Sequence, residues 1–307
     1  MKIVFMGTPE FAVPSLQRLI DDGYEIAAVV TQPDRKSGRG HKLMPPPVKL
    51  LAEKHGIRVI QFDKIKSEEG VSALIETKPD VIITAAFGQI LSKQILDIPP
   101  MGCINVHASL LPKYRGAAPI QWVLINGEKQ TGVTIMYMNE GLDTGDIVSS
   151  VVMDIDPDCT GGELYATLSQ AGASLLSQTL KDIVDGTAKR INQDEAESSY
   201  YPPLSKVLGR IDWKKSAPDI HNLVRALDPV MGAHTHIGEE MIKIWRASAA
   251  DGKADPGQII CADAHNGLVV GTGQGIIRVE EMQAPNGRRM TPAEYFRGKS
   301  LNGSAFI

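Results

Sequence analysis

The chain has 307 residues, 43% hydrophobic and 22% charged, a composition typical of soluble globular proteins, and this length predicts two domains. No apolar run approaches the roughly 20 residues that span a bilayer, and the N-terminus reads as a strand rather than a signal peptide, so no membrane association is expected. The three cysteines lie far apart without metal-ligand spacing. They predict a cytoplasmic protein in a reducing compartment, with no bound metal.

The first thirty residues predict a βαβ unit, with a strand at Lys2–Met6, a helix ending near Gly23 and a second strand at Ile26–Val30. Because such crossovers are right-handed, the natural fold is α/β, a doubly wound, mostly parallel Rossmann-like sheet. Only Gly7 of a Gly-x-Gly-x-x-Gly fingerprint follows the first strand, which disfavours a nucleotide-dependent oxidoreductase.

Residues 31–47 form a connection too long for an ordinary strand-to-helix loop. The stretch from Gln32 to Lys49 holds five Lys or Arg and one Asp, in a chain whose net charge is −4. One interpretation is a solvated, flexible loop. The other is a basic finger that contacts the phosphates of a nucleic acid.

Alternating helical and strand patterns continue to the middle of the chain and beyond it. The predicted helices are 48–55, 67–77, 117–126 and 162–185, and the predicted strands are 57–60, 80–84, 132–138 and 147–155.

Residues 102–116 carry the strongest candidate site. Their first half predicts a buried strand, on which Asn105 and His107 are two residues apart and therefore project from one face, near the carboxyl end of the strand. Open α/β sheets bind ligands at that edge. A strand-end amide and a structural histidine are the alternative interpretation. Asp143, between Gly141 and Gly145, is either a turn former or a carboxylate held close to a ligand.

Residues 187–206 are polar and irregular, as in a linker, and short glycine-punctuated strands after residue 208 predict a small barrel. We therefore predict a catalytic domain at 1–189, a linker at 190–207 and a smaller β-barrel domain at 208–307. From residue 208 onward there are 12 Lys or Arg and 11 Asp or Glu, which leaves 20 and 25 for the rest. Basic residues are thus concentrated in the 32–49 stretch and, relatively, in the last domain.

Three strings carry a resemblance to a known family: Asn105-Val-His-Ala-Ser-Leu-Leu-Pro-Lys-Tyr-Arg-Gly, Thr131-Gly-Val-Thr and Gly141-Leu-Asp-Thr-Gly-Asp. They closely resemble the folate-dependent formyltransferases, and among these the members that act on methionyl-tRNA. The resemblance implies an OB-like C-terminal domain and the catalytic residues Asn105, His107 and Asp143. It also implies folate binding by Ser109, Leu110, Leu111, Pro112, Phe87 and Gly88, and tRNA binding by Arg35, Arg39 and Lys42.

The same resemblance implies formyl transfer from 10-formyltetrahydrofolate to initiator methionyl-tRNA, without a metal, and we expect a monomer. Alternatives are a formyltransferase acting on an amino sugar nucleotide or on glycinamide ribonucleotide, a hydrolase of the donor, and an RNA-binding module without catalysis. The last alternative leaves Asn105, His107 and Asp143 unexplained. Two segments, starting at Ser199 and Pro229, depart from the commonest family pattern.

Overall fold

The computed structural model describes residues 1–37, 42–301 and 303–307, with Ser37 and Lys42 described by their backbone alone. In the first half, the elements are β1 (Lys2–Gly7), α1 (Val13–Asp21), β2 (Glu25–Thr31), β3 (Arg35–Ser37), β4 (Lys42–Met44), α2 (Pro47–Lys54), β5 (Val59–Gln61), α3 (Glu68–Thr77), β6 (Val81–Ala85), α4 (Lys93–Leu96), β7 (Cys103–His107), β8 (Arg115–Gly116) and α5 (Pro119–Ile125). A 3-10 turn at Glu10–Ala12 leads into α1.

The second half continues with β9 (Gln130–Tyr137), β10 (Ile147–Asp154), α6 (Gly161–Val184), β11 (Tyr200–Tyr201), α7 (Ala217–Leu227), β12 (Ala233–Ile237), β13 (Glu240–Ala250), β14 (Ile259–Asp263), β15 (Gly267–Gly271), β16 (Ile276–Gln283) and α8 (Pro292–Phe296). A second 3-10 turn covers Glu195–Glu197. No helix among the described residues is long and apolar enough to cross a membrane.

The larger sheet has seven strands in the order β10-β9-β7-β6-β1-β2-β5. β7, β6, β1, β2 and β5 are mutually parallel, whereas β9 runs antiparallel to β7. The predicted doubly wound, mostly parallel sheet is confirmed. Its central strands are largely apolar because both of their faces are covered; Ile3, Val4, Phe5 and Met6 of β1 are fully buried.

The chain divides into two compact units. The first contains residues 1–116, 131–153 and 165–200, and the second contains 117–130, 154–164 and 201–307. In the second unit, a five-stranded antiparallel sheet in the order β12-β13-β16-β15-β14 forms a half-barrel where the sequence predicted an OB-like barrel. Its core includes Ile220, Val224, Ile244, Val270 and Ile277, so α7 packs against the sheet.

Several short elements were not predicted, among them β8, β11 and α8, a second helix in a region that the sequence indicated to hold one. Residues 31–47 contain a β-hairpin, β3 with β4, where the sequence indicated only a long loop. The four-residue helix α4 was also missed, because a single turn presents no helical period to read.

Candidate active site

The candidate site is built at the carboxyl ends of β6 and β7. These strands are parallel neighbours, with Thr84 aligned to Asn105 and Ala85 to Val106. His107 is the last residue of β7, two positions after Asn105, so both side chains project from one face of the sheet. The segments that follow the two strands therefore meet at one edge of the sheet, where α/β proteins bind ligands.

The amide of Asn105 is oriented by the neighbouring strand. Thr84 is only 3% exposed, and its hydroxyl donates to Asn105 Oδ1 at 2.8 Å. Because this oxygen accepts the Thr84 hydroxyl proton, the Asn105 Nδ2 group remains as the donor toward the sheet edge. An oriented N–H donor at this position fits the stabilisation of a developing oxyanion.

The imidazole of His107 is buried, and both of its nitrogens have neighbours. Nε2 lies 3.0 Å from the carbonyl oxygen of Tyr114, and Nδ1 lies 3.6 Å from Asp143 Oδ1. A carbonyl oxygen only accepts, so Nε2 carries a proton. The second nitrogen therefore faces the carboxylate, at an ion-pair distance that is longer than a direct hydrogen bond.

The position of the Asp143 carboxylate is set by a backbone hydrogen bond and by the conformation of its own backbone. Its Oδ2 accepts a hydrogen bond from the Gly116 N–H at 2.9 Å, and its own backbone has φ +55°. A positive φ is uncommon for a residue with a side chain, although Asp tolerates it better than most. The turn thus aims the carboxylate at His107, and its side chain is only 13% exposed. The structure brings His107 and Asp143 together, with Asn105 on the same strand as His107.

The predicted folate-binding residues lie on the segments that follow β6 and β7. Leu111 N donates to Thr134 Oγ1 at 3.2 Å, and Ser109 Oγ donates to the Lys113 carbonyl at 2.8 Å, so this hydroxyl bonds within its own turn. The bond from Leu111 to Pro112 is cis. Leu110 packs over Gly132, whose added Cβ would lie 2.6 Å from Leu110 Cδ2.

Phe87 and Gly88 lie in the turn after β6. The Phe87 carbonyl accepts hydrogen bonds from Thr8 Oγ1 at 3.0 Å and from Gln32 Nε2 at 3.4 Å. Gly88 is exposed and has φ +82°. Both positions lie at the same sheet edge as Asn105.

The predicted tRNA-binding residues belong to the β3–β4 hairpin. Arg35 is exposed and donates to Gln32 Oε1 at 3.3 Å, Lys42 is described only as a backbone position in β4, and Arg39 lies outside the described residues. At the base of the hairpin, Asp34 accepts from Lys49 at 2.8 Å and from Gln61 at 2.8 Å. These two partners hold the pKa of the Asp34 carboxyl below its usual value, with the Gln61 hydrogen bond the larger cause.

Sequence reasoning missed the residues that support the site, among them Thr84, Tyr114 and Gly116. Thr84 ends a predicted strand next to β7, and this was the one available signal. The contacts of the other two depend on a turn conformation, with φ +59° at Tyr114, that no periodicity reveals. Among the described residues, no group of three potential metal ligands occurs.

Family models match both parts of the chain. A model described as "Formyl transferase" matches residues 1–180, and one described as "Formyl transferase, C-terminal domain" matches residues 203–300. The chain belongs to the formyl transferase family.

Similar proteins of known activity indicate which formyltransferases the chain resembles. The chain is 49% identical to the methionyl-tRNA formyltransferase of Ruminiclostridium cellulolyticum, over 98% of each chain. It is 50% identical to the methionyl-tRNA formyltransferase of Acetivibrio thermocellus, over 98% of this chain and 97% of the relative.

A solved structure gives the same fold at low identity. The N-formyltransferase from Helicobacter canadensis, in complex with folinic acid and dTDP-3-aminofucose, matches with a TM-score of 0.67 at 20% identity. The match covers 91% of this chain and 99% of that one. At this identity, the match supports the fold alone.

Proposed function

We propose that this chain transfers a formyl group from 10-formyltetrahydrofolate to the α-amino group of initiator methionyl-tRNA. The observation that carries the proposal is the placement of His107 3.6 Å from Asp143, on the strand that also presents Asn105. The near-full-length similarity to methionyl-tRNA formyltransferases supports the acceptor. Membership of the formyltransferase family, together with a folinic acid complex of a fold neighbour, supports a folate-derived donor.

The acceptor amine needs little activation. A free α-amino group has a pKa of about 7.7 to 8.0, and the ester bond of an aminoacyl-tRNA lowers it, so a substantial fraction is neutral near pH 7. The amine nitrogen attacks the formyl carbon, and the carbonyl oxygen becomes an oxyanion. The Asn105 Nδ2 group donates to that oxygen, a contribution of about 2.7 to 4 kcal/mol for comparable donors in other enzymes.

The proton lost by the amine is assigned to the His107–Asp143 pair. With Nε2 hydrogen-bonded to the Tyr114 carbonyl, either His107 Nδ1 or the Asp143 carboxylate can accept the proton, directly or through water. Collapse of the tetrahedral intermediate then breaks the bond from the formyl carbon to the folate nitrogen, and that nitrogen takes up a proton. The products are formylmethionyl-tRNA and tetrahydrofolate.

We assign the donor to the sheet edge formed by Phe87–Gly88 and Ser109–Pro112. The half-buried Leu110 would offer an apolar contact to the folate, and the exposed turn at Gly88 brings backbone polar groups within reach. The β3–β4 hairpin is assigned to the RNA, because Arg35, Arg39 and Lys42 make this part of the sequence basic, and phosphates attract positive charge. A cytoplasmic monomer is the form we propose.

The test is formyl transfer from 10-formyltetrahydrofolate with four competing acceptors: initiator methionyl-tRNA, elongator methionyl-tRNA, glycinamide ribonucleotide and water. Fast transfer to the initiator tRNA alone is expected. Transfer to a small amine, or plain hydrolysis, would contradict the assigned acceptor while leaving the assigned chemistry intact.

Substitutions at the site separate chemistry from RNA binding. Asn105→Ala and Asp143→Ala should each lower kcat at least about 100-fold, because each removes a group that acts on the reacting atoms. The Kd for initiator tRNA, measured by filter binding, should stay within about twofold.

Arg39→Ala should instead weaken tRNA use with little change in the KM for the folate. Unchanged discrimination between initiator and elongator tRNA in Arg39→Ala would contradict the role given to the hairpin.

A further inference from the structure

Gln193 and Ser199 lie in the polar stretch that the sequence indicated as a linker. Both belong to the first compact unit. Just before Gln193, Ile191 is tied to the start of β10, because it exchanges two backbone hydrogen bonds with Ile147 at 2.8 and 2.9 Å. The stretch is therefore anchored where it begins.

Gln193 contacts the turn that carries Asp143. Its Nε2 group donates to the Asp143 carbonyl at 2.8 Å and to the Gly145 carbonyl at 2.7 Å. Its Oε1 accepts from Arg115 Nε at 3.1 Å and from Arg115 Nη2 at 2.8 Å. All four hydrogen-bonding positions of the amide are used, so its orientation is fixed.

Arg115 is the partner that holds Gln193 in place. Its side chain is only 7% exposed, and it forms a bidentate pair with Glu195 at 2.8 and 2.9 Å. A buried guanidinium requires such partners, and Arg115 receives them from two residues of the same stretch. The next residue along the chain, Gly116, contacts Asp143 directly, because its N–H donates to Asp143 Oδ2.

Ser199 contacts the other neighbour of His107. Its Oγ accepts from the Tyr114 N–H at 2.9 Å, and its carbonyl accepts from the Arg115 N–H at 2.9 Å. Tyr114 is the residue whose carbonyl oxygen lies 3.0 Å from His107 Nε2. Thus Gln193 holds Asp143, which faces His107 Nδ1. Ser199 holds Tyr114, which faces His107 Nε2.

The two residues so held share an unfavourable backbone conformation. Asp143 has φ +55° and Tyr114 has φ +59°, and side-chain-bearing residues keep such conformations only where the surroundings impose them. Each makes a hydrogen bond with the 193–199 stretch through its own backbone: the Asp143 carbonyl accepts from Gln193, and the Tyr114 N–H donates to Ser199. The strain and its support therefore coincide at the two groups that orient His107.

We infer that Gln193 and Ser199 are positioning residues for formyl transfer, which hold Asp143 and Tyr114 against the two nitrogens of His107. The inference rests on the proposed function. Loss of either residue should loosen one side of His107 and lower the rate of chemistry, because a displacement of about 1 Å can reduce a rate about 100-fold. Binding of the folate and the tRNA should change little.

The experiment compares Gln193→Met, Ser199→Ala and Ser199→Thr in the full chain, by steady-state formyl transfer. Gln193→Met and Ser199→Ala should lower kcat about 10-fold or more with both KM values within about twofold. Ser199→Thr keeps a hydroxyl and should recover most of the parent kcat. The matched controls are Gln178→Met, whose amide contacts Asp182 on α6, and Ser198→Ala, whose hydroxyl contacts the Glu195 carbonyl; both should behave as the parent.

The outcomes separate this inference from the proposed function. A parent chain that formylates methionyl-tRNA while Gln193→Met and Ser199→Ala keep its kcat would overturn the inference alone. A parent chain without formyl transfer would overturn the proposed function and the inference with it. If circular dichroism shows that Gln193→Met does not fold, the two Ser199 variants test the inference on their own. An equal loss of kcat in Ser199→Ala and Ser199→Thr would contradict a positioning role for the hydroxyl.

Discussion

At the scale of single residues, the site consists of polar groups whose orientation is set by neighbours of different origin. Asn105 and His107 could be predicted to share a face, because a strand has a period of two. The link to Asp143 came only from family resemblance, since nothing in local sequence ties residue 143 to residue 107. Thr84, Gln193 and Ser199 remained invisible because their partners lie 21 to 85 residues away along the chain.

Thr84→Val tests the orientation of Asn105. The change removes the hydroxyl that lies 2.8 Å from Asn105 Oδ1 at nearly constant volume, so the amide can turn its oxygen toward the reacting carbonyl. We expect kcat to fall about 10-fold or more, approaching the loss of an oxyanion donor, with little change in KM. Thr84→Ser, which keeps the hydroxyl, should stay near the parent value.

The control for this change is Thr77→Val, a buried threonine whose hydroxyl bonds the Leu74 carbonyl at 2.6 Å within α3. It removes one buried hydroxyl away from the site. A similar drop in kcat in Thr77→Val would mean that Thr84→Val acts through general destabilisation.

At the scale of elements, periodicity predicted nearly all the strands and helices of the larger sheet. Their ends differ by a few residues, as between the predicted strand at 132–138 and the observed β9 at Gln130–Tyr137. Pairing partners were less accessible. The antiparallel placement of β9 against β7, and the hairpin within residues 31–47, depend on contacts rather than on local pattern.

Gly132→Ala tests the close approach of two strands next to the site. A Cβ at this position in β9 would lie 1.9 Å from the backbone oxygen of Val151 in β10, so the strands would have to separate. Overpacking of this kind costs about 1 to 3 kcal/mol of unfolding free energy, measurable by urea denaturation. Since Leu110 also contacts this position, the KM for the folate should rise. Gly298→Ala, with nothing within 4 Å, is the matched control, and equal stability of the two variants would contradict the close approach.

At the scale of the whole molecule, two units with separate hydrophobic cores form from one chain. Composition predicted a second domain after a polar stretch, at 208–307, and those boundaries stay a prediction. The compact units are not continuous in sequence, since residues 117–130 and 154–164 group with the C-terminal half. α5 packs on α7 within that unit, a long-range pairing that a composition shift does not reveal.

The stability of the C-terminal unit should depend on the protonation of His234. Burial lowers the pKa of this histidine below 6.5, with further contributions from the charges of His236, Lys243 and Arg210. His234 is paired with Lys243 across the β12–β13 ladder, and the His236 ring centroid lies 6.1 Å from its own. A positive charge at His234 is thus poorly accommodated in the folded state.

The sign of the effect follows from proton binding. Between the lowered pKa of the folded state and the value of about 6.5 in the unfolded chain, the unfolded state binds more protons, so stability rises with pH. The contribution is fully present above about pH 6.5 and is lost as the pH falls through the folded pKa. Thermal unfolding measured between pH 5 and 8 should show this loss as a Tm that falls with falling pH. In His234→Gln the slope of Tm against pH should be smaller, because a neutral amide cannot take up the proton. The same change at exposed His55 is the control. A slope unchanged in His234→Gln but flattened in His55→Gln would place the titration outside the half-barrel.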